Sequence, residues 1–154
     1  MKIRRVQQHL ISRPLDDVAR EVRSQLDGLD LQVPRGDVAI TAGSRGIANI
    51  ATITKVAGEW LREHGAKPFI IPAMGSHNGA TAEGQRRMVE SLGITETAMG
   101  MPIRASMECV KLGSVATGDV WMDRQAYESD GVLVLNRIKL HTCFSGSIQS
   151  GLIK

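Results

Sequence analysis

Aromatic side chains and cysteines are scarce in this chain of 154 residues, and their scarcity excludes several classes of protein. Phenylalanine, tryptophan and tyrosine together make up 3% of the sequence, so a platform of stacked aromatic rings for single-stranded nucleic acid is not expected. The two cysteines, Cys109 and Cys143, are far apart and fit neither a disulfide framework nor the closely spaced pairs of a zinc site. We therefore expect reduced thiols, as in a cytoplasmic protein.

Long apolar runs and a strong excess of charge are also missing from the sequence. No stretch approaches the length of a membrane-spanning helix, and the first eight residues lack the apolar core of a signal peptide. The formal net charge is +3, with 19 basic and 16 acidic residues, which is too small a surplus to indicate nucleic acid without a clustered basic face. The sequence thus predicts a cytoplasmic protein that binds neither nucleic acid nor a membrane.

Alternating helix-like and strand-like segments predict an α/β fold. Apolar residues recur at helical spacing in segments 15–26, 47–61 and 88–92, and short apolar runs at 37–41, 68–71 and 131–135 indicate buried strands. Such alternation predicts a mostly parallel sheet flanked by helices. Between Met107 and Met122, short apolar pieces separated by glycines predict a small antiparallel portion. The length fits one domain, so we assign residues 1–154 to a single α/β domain.

Two polar, glycine-rich loops follow predicted strands, and each carries one histidine. His77 lies in residues 72–85, where Thr81 is a candidate helix cap, and His141 lies in residues 136–154. The carboxyl ends of parallel strands meet at one edge of a sheet, so the two loops predict a single site. An imidazole can exchange a proton near neutral pH, although a loop histidine is more often simply solvated.

Cationic residues accompany both the first strand and the second histidine loop. Ser44 and Arg45 occupy a glycine-flanked turn before a predicted helix, where backbone amides, the helix dipole and the guanidinium could hold a carboxylate or phosphate. The alternative is an ordinary strand-to-helix turn. Arg137 and Lys139 precede His141 and would suit an anionic substrate, or they are solvated loop charges. Lys154 is either a nucleophile that binds a cofactor covalently or an ordinary lysine.

Three motifs, in order along most of the chain, resemble the N-terminal domain of the lactate racemase family, the nickel-pincer-nucleotide enzymes, and especially its uncharacterised relatives. They are Gly43-Ser-Arg-Gly-Ile-Ala-Asn49, Met74-Gly-Ser-His-Asn-Gly-Ala-Thr-Ala-Glu-Gly-Gln85 and Asn136-Arg-Ile-Lys-Leu-His-Thr142. The resemblance implies the N-terminal domain of a two-domain isomerase, a racemase or epimerase of 2-hydroxy acids. The active site would then lie between this domain and a C-terminal domain that the sequence does not contain.

The resemblance also implies roles for particular residues. His77 and His141 would act as acid and base on opposite faces of the substrate, one of them taking the hydroxyl proton as hydride passes to the cofactor. Arg45 would bind the substrate carboxylate, and the neighbouring substrate-binding candidates are Ser44, Arg137 and Lys139. Cys143 and Gln149 depart from the family, whose relatives tend to have acidic residues there.

A nickel-pincer nucleotide is the cofactor that the resemblance implies. It is a nicotinate-derived nucleotide whose thiocarboxyl groups clamp nickel, and Lys154 would tether it while Gly75 and Ser76 contact it. The family's nickel-ligating histidine lies beyond the tether, so no metal ligand is assigned in this sequence. The metal site would be incomplete, and we expect the chain to be inactive alone.

Two other functions remain open from the residues themselves. One is a non-enzymatic domain whose glycine loops bind a phosphate or an organic acid without proton transfer. The other, less favoured, is a divalent-metal protein that uses His77, His141 and Cys143. A domain without its partner would expose an apolar face, which predicts self-association into a possible homo-oligomer.

Overall fold

Among the described residues, three parallel strands form the main sheet. The structure is a computed structural model that describes residues 5–9, 12–43, 46–140 and 145–149. The strands are β1 (Asp37–Ala42), β2 (Lys67–Pro72) and β5 (Gly131–Leu133). The central strand β1 pairs with β2 over all six of its residues and with β5 over three. The predicted parallel sheet is thus confirmed.

In the described part of the chain, five α-helices accompany the sheet, and side-chain caps fix where several of them begin. The Asp17 carboxylate accepts a hydrogen bond from the Arg20 amide (2.9 Å), and the Thr81 hydroxyl accepts one from the Gly84 amide (3.0 Å). Each bond satisfies an amide that has no partner within its own helix, which confirms Thr81 as a cap. The helices are α1 (Val18–Asp27), α2 (Ile50–Glu63), α3 (Ala82–Ser91), α4 (Glu96–Met99) and α5 (Arg124–Tyr127).

Side chains alternate between the two faces of the main sheet along each strand. Both faces are buried, each against its own core. On one face, Val38 and Ile40 of the central strand belong to a core that includes residues of α1, α2 and α3. On the other face, Phe69 of β2 is fully buried in a smaller core with Ala126 of α5 and Met122. Burial on both faces explains why the strands are continuous apolar runs.

The predicted antiparallel portion is a hairpin of β3 (Cys109–Val115) and β4 (Gly118–Asp123). The register of the pairing with β4 shifts within β3, between Lys111 and Gly113. Only the base of the hairpin reaches a core, through Met122, and most of its residues are exposed. The α/β class with a small antiparallel sheet is therefore as the sequence predicts.

Several predicted boundaries are wrong by a few residues, among them the start of α1, which is Val18 rather than Leu15. The helix expected over 47–61 begins at Ile50, because Gly46 (φ +78°) and Asn49 (φ +57°) take left-handed conformations that no helix accommodates. Ile47 instead packs half-buried against the core. The last strand ends at Leu133 rather than at 135. Among the described helices, none is both long and apolar enough to cross a membrane.

Candidate functional site

Three polar segments leave the sheet side by side at its carboxyl edge. They are the histidine loop (residues 73–81) after β2, the glycine turn (residues 43–49) after β1, and the final segment (residues 134–140) after β5. Since β1 is central, the glycine turn follows the middle strand, with the other two segments after its neighbours. The strand order also changes direction here, because β2 and β5 lie on opposite sides of β1. Such switch points are where open α/β sheets bind ligands.

The histidine loop begins in register with the glycine turn. The Ala73 amide donates to the Ala42 carbonyl oxygen (2.8 Å), which extends the strand pairing to the start of both segments. The loop then forms a tight turn, His77–Ala80, whose last three residues all have positive φ. For Asn78 such a conformation is common, but for Ala80 (φ +52°) it is costly. The surrounding contacts must therefore hold this loop in place.

The side chain of His77 is exposed at this edge. Within the described residues, none of the hydrogen bonds or ion pairs involves its ring, so no carboxylate orients it there. Glu83, the acid that follows the loop, pairs with Arg87 through an Oε1–Nε distance of 2.8 Å. An exposed imidazole keeps both ring nitrogens available to a ligand.

Gly75 and Ser76, the predicted cofactor contacts, lie in the same loop and are exposed. Gly75 has a φ of +61°, and a Cβ added to it would meet no atom within 4 Å, so the space beside it is open. The Ser76 hydroxyl makes no capping bond to the tight turn. Both residues therefore leave room and polar groups for a ligand at the carboxyl edge.

The final segment reaches the glycine turn through Arg137. Its Nη1 donates to the Gly46 carbonyl oxygen (2.6 Å). A Cβ on Gly46 would lie 2.9 Å from the same Nη1, so the glycine permits this close approach. The Thr41 hydroxyl accepts from the Leu135 amide (2.9 Å) and ties the start of the final segment to β1. A cationic side chain thus joins two of the three segments.

The remaining predicted site residues divide between exposed and undescribed positions. Lys139 is exposed in the final segment. Gln149, the departure from the family that the structure describes, donates to the Gly146 carbonyl oxygen (3.1 Å). The residues that lie outside the described part of the chain are Ser44, Arg45, His141, Cys143 and Lys154. The structure therefore brings His77 and Arg137 to one edge and leaves the pairing of His77 with His141 as a prediction.

Cavities of different size lie at and beside the carboxyl edge in the described part of the chain. Beneath the glycine turn is a cavity of about 10 Å³, lined in part by Gly43 and Gly46, which is room for at most one water. A wider open groove of about 300 Å³ lies beside α3, but its two arginines are already engaged, Arg86 with Glu96 and Arg104 with Asp37. The described residues include no cluster of three or more side chains that could hold a metal ion.

Three residues of this edge escape prediction by sequence: Thr41, Asn78 and Gln85. Thr41 is a strand residue whose hydroxyl, rather than a backbone carbonyl, accepts the hydrogen bond of the Leu135 amide. Gln85 lies in the first turn of a helix. The Asn78-Gly79 pair does carry a signal, because asparagine and glycine tolerate positive φ. Nothing in the periodicity around Gln85 shows that its amide turns back toward the histidine loop.

No protein-family model, no curated protein and no solved structure matches this chain. The resemblance to the lactate racemase family therefore rests on the three motifs alone.

Proposed function

We propose that this chain is the N-terminal domain of a cytoplasmic racemase or epimerase of 2-hydroxy acids and carries half of its active site. One observation supports the proposal above the others. His77 is exposed on a loop that begins in register with the glycine turn, at the carboxyl edge where the final segment also leaves the sheet. A proton carrier and an anion site are the two parts that a hydroxy acid requires of a protein.

In this proposal, His77 takes or returns the proton of the substrate hydroxyl. The glycine turn, with Ser44 and Arg45, binds the carboxylate, while Arg137 and Lys139 add positive charge at the same edge. A guanidinium suits a carboxylate because two parallel hydrogen bonds fix the orientation of the acid. His141 would serve as the second proton carrier on the opposite face of the substrate.

The open space at Gly75 and the exposed hydroxyl of Ser76 fit the nucleotide portion of a nickel-pincer cofactor, which Lys154 would tether. When bound, such a cofactor would supply an acceptor for the C2 hydrogen of the substrate as hydride. In the family that the motifs resemble, the nickel-ligating histidine lies beyond the tethering lysine, so in this proposal the nickel ligand comes from the C-terminal domain. That second domain would also cover the carboxyl edge and exclude water from the substrate.

A second function is a domain that binds an organic acid or phosphate without proton transfer. The observation in its favour is that no carboxylate among the described residues orients the His77 ring. Enzymes that use histidine as a base generally fix its orientation with a third group. In this alternative, the glycine turn and Arg137 hold the anion, and His77 is an exposed residue that transfers no proton.

The two functions are distinguished by the substrate hydroxyl. We would titrate the isotope-labelled chain with L-lactate, D-lactate and propionate, which lacks the hydroxyl, and follow backbone amide and histidine ring signals by NMR. The racemase domain should bind both lactates more tightly than propionate, with shifts in the histidine loop and at the His77 ring. The His77→Gln variant should lose that preference, whereas His9→Gln, which changes an exposed histidine of the N-terminal stretch, should keep it.

Equal affinity for lactate and propionate, unaffected by His77→Gln, would establish the binding domain instead. Inorganic phosphate would then be the next ligand to titrate. If none of these anions moves a signal at the carboxyl edge, both proposed functions fail for this chain.

A further inference from the structure

The amide of Gln85 holds the histidine loop from within the protein. Gln85 lies in the first turn of α3 and is 5% exposed, and its Nε2 donates to the Gly75 carbonyl oxygen (2.6 Å). A buried glutamine is uncommon because its amide must be hydrogen-bonded to offset the loss of water. Here the partner is the backbone two residues before His77.

A second hydrogen bond runs in the opposite direction between the same two elements. The Asn78 Nδ2 donates to the Gly84 carbonyl oxygen (2.5 Å), so the loop and the helix each donate one side-chain amide to the backbone of the other. The approach is so close that a Cβ on Gly84 would lie 2.1 Å from the Asn78 carbonyl oxygen. In the sequence, His77 therefore lies between two residues, Gly75 and Asn78, that are hydrogen-bonded to α3.

We propose that Gln85 is a positioning residue for His77. It does not touch the substrate. By holding the Gly75 carbonyl it fixes the backbone from which the imidazole extends, so the ring is already in place when a ligand arrives. Without this hydrogen bond, fewer contacts hold the positive-φ residues after His77 in their conformation. Ligand binding would then have to order the loop, which lowers the affinity. The substrate part of this inference rests on the proposed function, in which His77 contacts the substrate hydroxyl.

The Gln85→Met variant tests the inference, because methionine has nearly the same shape as glutamine and no hydrogen-bond donor. The matched control is Gln25→Met, which removes an amide bonded to Glu21 on the exposed surface of α1. NMR signals of residues 75–80 and of the His77 ring should change in Gln85→Met and stay as in the unmodified chain in Gln25→Met. Unchanged histidine-loop signals in Gln85→Met would overturn the inference, whether or not any hydroxy acid binds.

Ligand preference separates positioning from a merely structural role. We expect Gln85→Met to lower the affinity ratio of lactate to propionate about three- to tenfold, the loss of one hydrogen bond, while propionate affinity stays the same. A parallel fall in both affinities would show that Gln85 only stabilises the fold and would overturn the inference. If the unmodified chain does not distinguish the two acids, the proposed function fails, and the His77 ring signals alone decide whether Gln85 positions the ring.

A second variant keeps the test valid if Gln85→Met does not fold, as judged by circular dichroism. Asn78→Gly retains the left-handed conformation and removes the other anchoring bond. It should produce the same selective loss of lactate preference. Unaltered His77 ring signals and an unaltered preference in this variant would contradict the inference.

Discussion

Gly84 illustrates, at the scale of single residues, how closely the histidine loop and α3 approach each other. The nearest atom to a Cβ built at this position is a backbone oxygen, that of Asn78, which cannot rotate away as a flexible side chain could. Space at this point is therefore a requirement of the loop, and it is the loop that presents His77.

The Gly84→Ala substitution should lower the free energy of unfolding by about 1–3 kcal/mol, since the added methyl forces the loop or the helix to move. Urea unfolding followed by circular dichroism measures this loss. The control is Gly113→Ala, where a Cβ would meet no atom within 4 Å and the expected change is within about 0.5 kcal/mol. Equal unfolding midpoints for the two variants would show that the close approach carries no energetic weight.

Asp27 is a second residue whose removal should be costly. Its Oδ1 accepts from the indole Nε1 of Trp60 (2.7 Å), and Trp60 is 3% exposed. Asp27→Ala leaves that N–H without its partner, so we expect a loss of about 1–3 kcal/mol in urea unfolding. Asp27→Asn, which keeps an oxygen acceptor, should recover most of the loss. Equal losses in the two variants would instead point to the carboxylate charge.

At the scale of elements, α4 is joined to the sheet through one carboxylate. Glu96 accepts from the Ile103 amide (2.8 Å) and from Arg86 Nη2 (3.2 Å), and Ile103 forms an isolated parallel bridge with Ile70 of β2. These contacts, the Ile103 amide first and Arg86 after it, hold the pKa of Glu96 below its ordinary value of 4.5. The charged carboxylate therefore stabilises this edge of the sheet.

The pH dependence of stability follows from that lowered pKa. As the pH falls, the unfolded state binds the proton first, so the contribution of Glu96 is complete above 4.5 and is lost as the pH drops through the lower folded pKa. Glu96→Gln should therefore be less stable than the unmodified chain at neutral pH, with a difference that shrinks in acid. Urea unfolding at several pH values measures it, with Glu83→Gln, which breaks an exposed pair, as the control. A difference that does not change with pH would contradict the prediction.

The elements that the sequence predicts well are those with many periodic residues. Helix α1 and the central strand carry four or more apolar side chains at the right spacing, so pattern alone locates them. The four-residue helices α4 and α5 are too short to show a period. They are set by single caps, the Thr95 hydroxyl accepting from the Ala98 amide and the Asp123 carboxylate accepting from the Ala126 amide.

The same distinction applies to the candidate site. That the histidine loop lies beside the glycine turn follows from parallel pairing of two successive strands, a rule that the sequence pattern is enough to invoke. The bond from Gln85 to Gly75 could not be predicted in this way, because it depends on how α3 packs after the loop has turned. The start of α2 directly after Asn49 could not be predicted either, because apolar residues at helical spacing continue back to Ile47.

At the scale of the whole molecule, the hairpin extends an apolar face beyond the core. Alternation along the strands places Val110, Val115, Val120 and Met122 on one face, and of these only Met122 packs against a core. Val115 is 59% exposed and Val120 is 40% exposed. Contiguous exposed apolar side chains of this kind promote association in solution.

We therefore predict that sedimentation velocity will show an average mass that rises with protein concentration. The double substitution Val115→Lys and Val120→Lys should reduce this association. It should change the free energy of unfolding by no more than about 0.5 kcal/mol, because both side chains are exposed. A single mass at all concentrations in the unmodified chain would contradict the prediction of a homo-oligomer.

Turnover is also a property of the whole molecule. In the proposed function, the nickel ligand and the cover that excludes water from the substrate both come from the C-terminal domain. We expect this chain, purified from a nickel-supplied host that makes the cofactor, to leave L-lactate and D-lactate optically pure by chiral chromatography. Racemisation by the chain alone would contradict the proposal of half an active site.

The central position of β1 has a further use in the laboratory. Ala39 and Ile40 have strand partners on both sides and are completely buried. Their amide hydrogens should exchange with deuterated solvent only when the whole domain opens, whereas those of the three-residue strand β5 should exchange through smaller local openings. Two slow signals in the middle of the sheet would then report the free energy of unfolding in plain buffer, with no denaturant to extrapolate from.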